Sequence, residues 1–199
     1  MSQTKKDHRF IIQGKEAREE LLAGARFAYD AVTATYGPKG TNVMVEKPFG
    51  RPMTTRDGVQ VARDTYTSDR PKNMGVQRVL EAAETTNRIA GDGTTQTVAL
   101  TYHLMNRGSL AIAAGVHPMN LKNILLDDSY KLIDRLNELK KPIEKGQLEQ
   151  VATVSSGDPL LGKMISEALE RVGPDGGITA EKAPLDDIER EYVDGYYLQ

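Results

Sequence analysis

Gly91-Asp92-Gly93-Thr94-Thr95 constrains this chain more than any other string, because it places a carboxylate between two glycines with apolar helical pattern on both sides. Glycine admits positive φ and close approach of a ligand to the backbone. A carboxylate there can hold Mg²⁺ through oxygen, and Thr94 and Thr95 open a helix whose free N–H groups attract anions. The same letters also fit a plain helix–loop–helix corner, with Gly91 as the C′ glycine and Asp92 or Thr94 as the next N-cap. A second glycine-rich corner upstream favours a ligand. Thr35-Tyr36-Gly37-Pro38-Lys39-Gly40-Thr41-Asn42-Val43 again follows a long helical pattern, and two such bends can face one phosphate chain.

Around these corners the pattern is mostly helical. Between Lys15 and Tyr36, apolar residues at Ala17, Leu21, Leu22, Ala25, Ala28, Tyr29 and Val32 recur at spacings of three and four, and Gly37-Pro38 stops the run. Thr41 to Glu46 alternates, Pro48-Phe49-Gly50-Arg51-Pro52 breaks it, and Met53 to Thr55 reads as the return strand of a small hairpin. Asp57-Gly58 turns the chain into a short segment, Val59 to Asp64, where Arg63 and Asp64 read as a solvated or intersubunit pair. Helices are expected from Asn73 to Ala90, Thr95 to Arg107 with Gly108 as a weak point or end, and Pro118 to Lys140. The last of these should bury Leu121, Ile124, Leu125, Leu132, Ile133 and Leu136 on one side. Further helices are expected over Gln147 to Val154 and Pro159 to Val172, the latter capped by Asp158. Strand-like pieces follow at Ile178 to Glu181 and Ile188 to Val193. The fold class is therefore mainly α with small β elements, an α+β chain. Tyr192, Val193, Tyr196, Tyr197 and Leu198 give the tail an apolar character that asks for a partner surface, or for docking as a C-terminal strand on its own domain.

Composition excludes several function classes. The 199 residues carry a net charge of −2, which gives no electrostatic footprint for nucleic acid or an anionic membrane surface. There is no cysteine, so no disulfide and no thiolate chemistry, and His8, His103 and His117 have no metal-ligand spacing. A polar start from Met1 to Asp7 and the lack of any run of about 18 apolar residues leave secretion and membrane spanning unsupported, with the cytoplasm as the expected location. Gly157-Asp158-Pro159-Leu160-Leu161-Gly162-Lys163-Met164 nearly spells a P-loop, but Met164 stands where Mg²⁺ needs a hydroxyl and Pro159 removes a backbone donor, so a helix start is the better account.

Three ordered strings carry a family resemblance. Thr35-Tyr36-Gly37-Pro38-Lys39-Gly40-x-Asn42-Val43, Thr55-Arg56-Asp57-Gly58-Val59 and Gly91-Asp92-Gly93-Thr94-Thr95 resemble the group I chaperonins of the GroEL type. Asn73-Met74-Gly75, Ala113-Ala114-Gly115 with Pro118-Met119, Val151 to Ser155 and the Val172 to Thr179 stretch extend the similarity over nearly the whole chain. The resemblance implies an ATP-dependent chaperone that works as a homo-oligomeric ring, binds unfolded polypeptide clients and takes a co-chaperonin lid. It implies that residues 1–137 are the first half of an equatorial ATP-binding domain, 138–194 the first arm of an intermediate hinge domain, and 195–199 the start of an apical domain. It further implies ring contacts through an N-terminal strand and the Thr41 to Thr55 hairpin.

Carried over by position, the resemblance makes Thr35, Tyr36, Gly37 and Pro38 a phosphate-contacting loop and Asp92 the carboxylate on Mg²⁺. Gly93, Thr94, Thr95 and Gln96 become phosphate binders, Arg56 and Gly58 cofactor contacts, and Asp57 a carboxylate that assists hydrolysis near the γ-phosphate. Val154 and Ser155 contact the nucleotide from the intermediate side. On local pattern alone, Asp57-Gly58 is equally an Asp-Gly turn between strand and helix. Two positions depart from the family: Arg56 stands where lysine is usual, which keeps charge and changes geometry, and Gln96 replaces a third threonine. The alternative expectation is a non-catalytic truncated subunit that binds chaperonin neighbours or other partners.

Overall fold

The computed structural model describes residues 11–47, 50–144, 146–173, 176–181, 188–193 and 195. It contains two compact units, Met1–Ser129 and Tyr130–Gln199. In chain order the described elements are α1 (Gly14–Thr33), β1 (Val43–Val45), β2 (Met53–Thr55), α2 (Gly58–Asp64), α3 (Arg70–Ala90), α4 (Thr94–Ala113), α5 (Pro118–Leu139), α6 (Leu148–Ser156) and α7 (Pro159–Val172). No helix among them is long and apolar enough to cross a membrane.

The core of the first unit is built from small side chains. Ala25, Ala28 and Val32 of α1 meet Val61 and Ala62 of α2, Val76, Val79, Leu80 and Ala83 of α3, and Val98 of α4. Alanine and valine let helix axes approach closely, and two glycines bring α1 and α3 closer still. A Cβ on Gly24 would lie 1.9 Å from the Lys72 carbonyl oxygen, and one on Gly75 would lie 2.2 Å from that of Leu21. Each glycine thus admits the backbone of the other helix. On the neighbouring face Tyr29 of α1 stacks on Tyr102 of α4 with ring centroids 4.6 Å apart, and His103 packs edge-on to Tyr29. His103 is itself exposed on this face. His117 Nδ1 accepts from the Met119 N–H at the start of α5, and His8 lies outside the described residues.

β1 and β2 form an antiparallel hairpin with Val43 opposite Thr55, Met44 opposite Thr54 and Val45 opposite Met53. It is tied to α2 by Lys47, whose ammonium lies 2.6 Å from Asp64 Oδ2, while Gln60 Nε2 donates to the same oxygen. Asp64 therefore pairs with Lys47 and Gln60 rather than standing solvated, while Arg63 is exposed. The hydrogen bond from Lys47 holds the Asp64 carboxyl below the usual carboxylate range, against the opposing effect of burial.

Several boundaries differ from the sequence expectation. α1 ends at Thr33, and the next residues turn through short i to i+3 hydrogen bonds. α3 begins at Arg70 because Asp69 caps it and Pro71 fits the first turn, where no N–H partner is needed. α4 runs unbroken through Gly108 to Ala113. The residues of 178–181 and 188–193 form no strand; β1 and β2 are the strands among the described residues. The largest correction concerns α5, which has no buried residue. Ile124, Leu125, Leu132, Ile133 and Leu136 are all exposed, Leu132 at 60%, and Leu121 is half-buried.

In the second unit α6 and α7 cross at Gly162, where a Cβ would lie 2.7 Å from the Thr153 backbone. Asp158 caps α7 as its position predicts, accepting from the N–H groups of Leu160 and Leu161. Arg190 donates to the Met164 carbonyl and pairs with Glu167, and the Arg171 guanidinium lies over the Tyr192 ring. Tyr192 of the apolar tail is half-buried and Val193 exposed; Tyr196, Tyr197 and Leu198 lie outside the described residues.

Candidate functional site

Three bends of the first unit carry the predicted residues. The first leaves α1: Thr35 is buried, its hydroxyl donates to the Val32 carbonyl (2.8 Å), Gly37 takes φ +71°, and the Thr41 N–H closes the loop onto Ala34 O at 2.8 Å. Tyr36 is half exposed on this bend. The second bend joins β2 to α2. Asp57 is its N-cap, with Oδ1 accepting from the Val59 N–H at 2.9 Å while its own N–H donates to Thr55 Oγ1. The third joins α3 to α4. Gly91 ends α3 at φ +71°, Gly93 takes φ +86° as the N-cap of α4, and Asp92 between them accepts the Gly93 N–H on Oδ1 at 2.6 Å.

The fold brings these bends together. Gly58 is buried, and a Cβ there would lie 2.2 Å from Thr95 Oγ1 and 3.2 Å from Thr35 Oγ1. One residue from each string therefore meets at a single point: Thr35 from the first, Gly58 from the second, Thr95 from the third. Arg56 adds a second tie. Its Nη2 lies 3.1 Å from Gly37 O and 3.5 Å from Pro38 O, so the guanidinium binds the second bend to the first. The arginine thus spends its guanidinium on backbone carbonyls, a use that suits a fork of several N–H groups better than a point charge.

Electrostatically the cluster suits an anion with a hard cation. α4 is a twenty-residue helix whose N-cap glycine offers no side-chain acceptor, so the first-turn N–H groups are left to water or to a ligand. Thr94 is buried and Thr95 half-buried at this end, while Gln96 is exposed. Among the described residues there is no cluster of three or more His, Cys, Asp or Glu that could hold a metal by itself. A lone carboxylate such as Asp92 fits Mg²⁺, which commonly takes one or two carboxylates and completes its shell with water and phosphate oxygens. A shallow depression between α2, α3 and α4, lined by Val59, Ala62, Leu80, Ala83, Asn87 and others, shares only Thr94 with the predicted residues. Val154 and Ser155 lie at the end of α6 in the second unit, both exposed.

Two residues of the third bend carried no sequence signal. Thr97 Oγ1 lies 2.9 Å from Gly93 O and 3.0 Å from Thr86 Oγ1, linking α4 to α3 across the corner. No motif spacing marks this pair, because its members belong to two helices and meet only through the angle of the bend.

Comparison with known proteins settles the kinship. The TCP-1/cpn60 chaperonin family matches residues 29–198. The chain belongs to this family. Its fold is similar to that of the chaperonin gp146 from the bacteriophage EL 2 (Pseudomonas aeruginosa) in presence of ATP-BeFx. Crystal form II matches at 33% identity and TM-score 0.67, covering 79% of this chain and 28% of that chain. Crystal form I matches at 30% identity and TM-score 0.68, covering 80% and 29%. The chain thus spans under a third of the length of the chaperonin it matches.

Proposed function

We propose that this chain supplies the phosphate- and magnesium-binding part of an ATP site in a group I chaperonin, an ATP-dependent chaperone that assists folding and refolding of polypeptides in a ring. The meeting of Thr35, Gly58 and Thr95 carries this reading, because it gathers three separate strings at the N-terminus of one uncapped helix. Family membership and the similarity to a phage chaperonin studied with ATP-BeFx support it. On this reading residues 1–137 are the first half of an equatorial domain, 138–194 the first arm of a hinge domain and 195–199 the start of an apical domain. The ring is homo-oligomeric and cytoplasmic, its clients are unfolded polypeptides, and its lid is a co-chaperonin of the GroES type.

The residues divide the work by chemistry. Asp92 holds Mg²⁺, which when bound neutralises phosphate charge and polarises the terminal phosphoryl group. The N–H groups and hydroxyls of Thr94 and Thr95, with Gln96 beside them, donate to phosphate oxygens, as does the Thr35 to Pro38 bend with Gly58. Arg56 fixes that bend through Gly37 and Pro38. Asp57 spends one oxygen on the α2 cap, which aims its carboxylate, and uses the other to orient the attacking water. ATP can drive a conformational cycle only through unequal affinity for two shapes, so these contacts must differ between the states.

Calorimetric titration of the 199-residue chain with ADP, with and without Mg²⁺, tests the assignment. Wild type should gain affinity from Mg²⁺, and Asp92→Ala should lose that gain, about tenfold or more for a contact worth ~1.4 kcal/mol. An Asp92→Ala chain that keeps the full Mg²⁺ effect would refute the metal assignment.

A further inference from the structure

We propose that Thr86 and Thr97 are positioning residues that brace the Gly91–Thr95 bend so that Asp92 and the first turn of α4 stand ready for a magnesium nucleotide; this rests on the nucleotide reading given above. The bend alternates glycines in left-handed geometry, φ +71° at Gly91 and +86° at Gly93, around the one carboxylate. Two glycines give such a segment the widest backbone freedom of any residue pair, and ordering it on ligand binding costs free energy. The threonines oppose that freedom from both helices.

Gly93 is the residue they hold. Its carbonyl accepts both the Thr97 N–H and the Thr97 hydroxyl, each at 2.9 Å, while its own N–H is taken by Asp92 Oδ1 at 2.6 Å. Fixing Gly93 therefore fixes the peptide on which the Asp92 carboxylate rests. Thr86 completes the brace from α3. Each hydroxyl has one proton: with the Thr97 proton on Gly93 O, the Thr86 hydroxyl, 3.0 Å from Thr97 Oγ1, donates there in place of Ala82 O at 3.1 Å, so two protons run from Thr86 through Thr97 to the bend. The Thr86 methyl carbon is 3.6 Å from the place a Cβ of Gly93 would occupy, so the side chain also packs against the bend. Both threonines are half-buried, where water competes less with their hydrogen bonds. The adjacent Thr85 is exposed, bonds only back to Glu81 O within its own helix, and supplies a control at nearly the same place.

The test uses the 199-residue chain with Thr97→Val, Thr97→Ser, Thr86→Val and Thr85→Val. Two quantities are read: the gain in ADP affinity brought by Mg²⁺, by calorimetry, and hydrogen-exchange protection of the Thr97 and Val98 amides. Loss of one hydrogen bond worth ~1 kcal/mol corresponds to about a fivefold change. Thr97→Val and Thr86→Val should lower both the local protection and the Mg²⁺-dependent gain by about that factor. Thr97→Ser should restore both quantities, and Thr85→Val should change neither. A Thr97→Val chain with the wild-type Mg²⁺ gain, or a Thr85→Val chain as impaired as Thr97→Val, overturns the brace. A wild-type chain that gains nothing from Mg²⁺ instead sinks the nucleotide reading itself, and this inference with it, a result visible before any threonine variant is made.

Discussion

Gly58 shows how much can hang on a missing methyl group. The nearest obstacle to a Cβ is the Thr95 hydroxyl, 2.2 Å away, which is the end of a side chain and can rotate. Gly58→Ala should therefore cost less than about 1 kcal/mol in stability, since alanine also favours the helix it begins, yet turn the Thr95 hydroxyl away from the cluster. The expected outcome is near-wild-type urea unfolding with a severalfold loss of magnesium-nucleotide affinity; unchanged affinity would remove Gly58 and Thr95 from the site. Asp64 gives a prediction in pH. Its folded pKa is depressed by Lys47, so the stability it contributes is present above the unfolded value of about 3.9 and is lost as pH falls through the lower folded value. Asp64→Asn should lower the melting temperature at neutral pH, and the gap to wild type should close in acid; a gap independent of pH would show that the Lys47 bridge carries no such linkage. By residue type Gly91 to Thr95 reads as a candidate site and Asp57-Gly58 as a turn, the latter drawn into the site only by the family resemblance. That Arg56 would reach Gly37 and Pro38, and that Thr86 would meet Thr97, followed from which backbones the fold sets side by side.

At the level of elements, the signals that worked were local and chemical. Asp158 caps α7, Asp57 caps α2 and Gly91 ends α3, each through hydrogen bonds within a few residues of chain. The errors were of a different kind. The helix expected from Asn73 starts three residues earlier, because Asp69 and Pro71 are themselves start signals and α3 begins at Arg70. Residues 178–181 and 188–193 have strand-like composition, but strands need a partner edge, and composition does not supply one. The crossing of α1 and α3 yields a prediction whose sign runs against propensity. Alanine at Gly75 should favour an isolated helix by ~0.8–1.0 kcal/mol, but its Cβ would lie 2.2 Å from Leu21 O, a backbone atom that cannot rotate away. Gly75→Ala should therefore destabilise the chain by about 1–3 kcal/mol in urea unfolding. A stabilised variant would mean that the two helices do not cross at this contact.

At the scale of the whole molecule, the informative quantity is how little of the apolar pattern is covered among the described residues. The first unit buries alanines and valines with a single leucine, while α5 presents Ile124, Leu132, Ile133 and Leu136 at more than half exposure. The native chain should accordingly bind a hydrophobic dye such as anilinonaphthalene sulfonate. Joint substitution of Leu132, Ile133 and Leu136 by serine should reduce that fluorescence while moving stability by no more than about 0.5 kcal/mol per site, as for exposed positions generally. Undiminished fluorescence would locate the dye elsewhere. The sequence alone determined roughly where helices fall, which residues cap them and where the glycine-rich corners lie, because capping, turn geometry and helical period act over a few bonds. Only the tertiary structure decided that Thr35, Gly58 and Thr95 share one point, that Asp64 answers to Lys47, and that the apolar stripe of α5 stays uncovered. Those outcomes depend on which surfaces distant segments present to each other, and periodicity records that a face is apolar without recording what meets it.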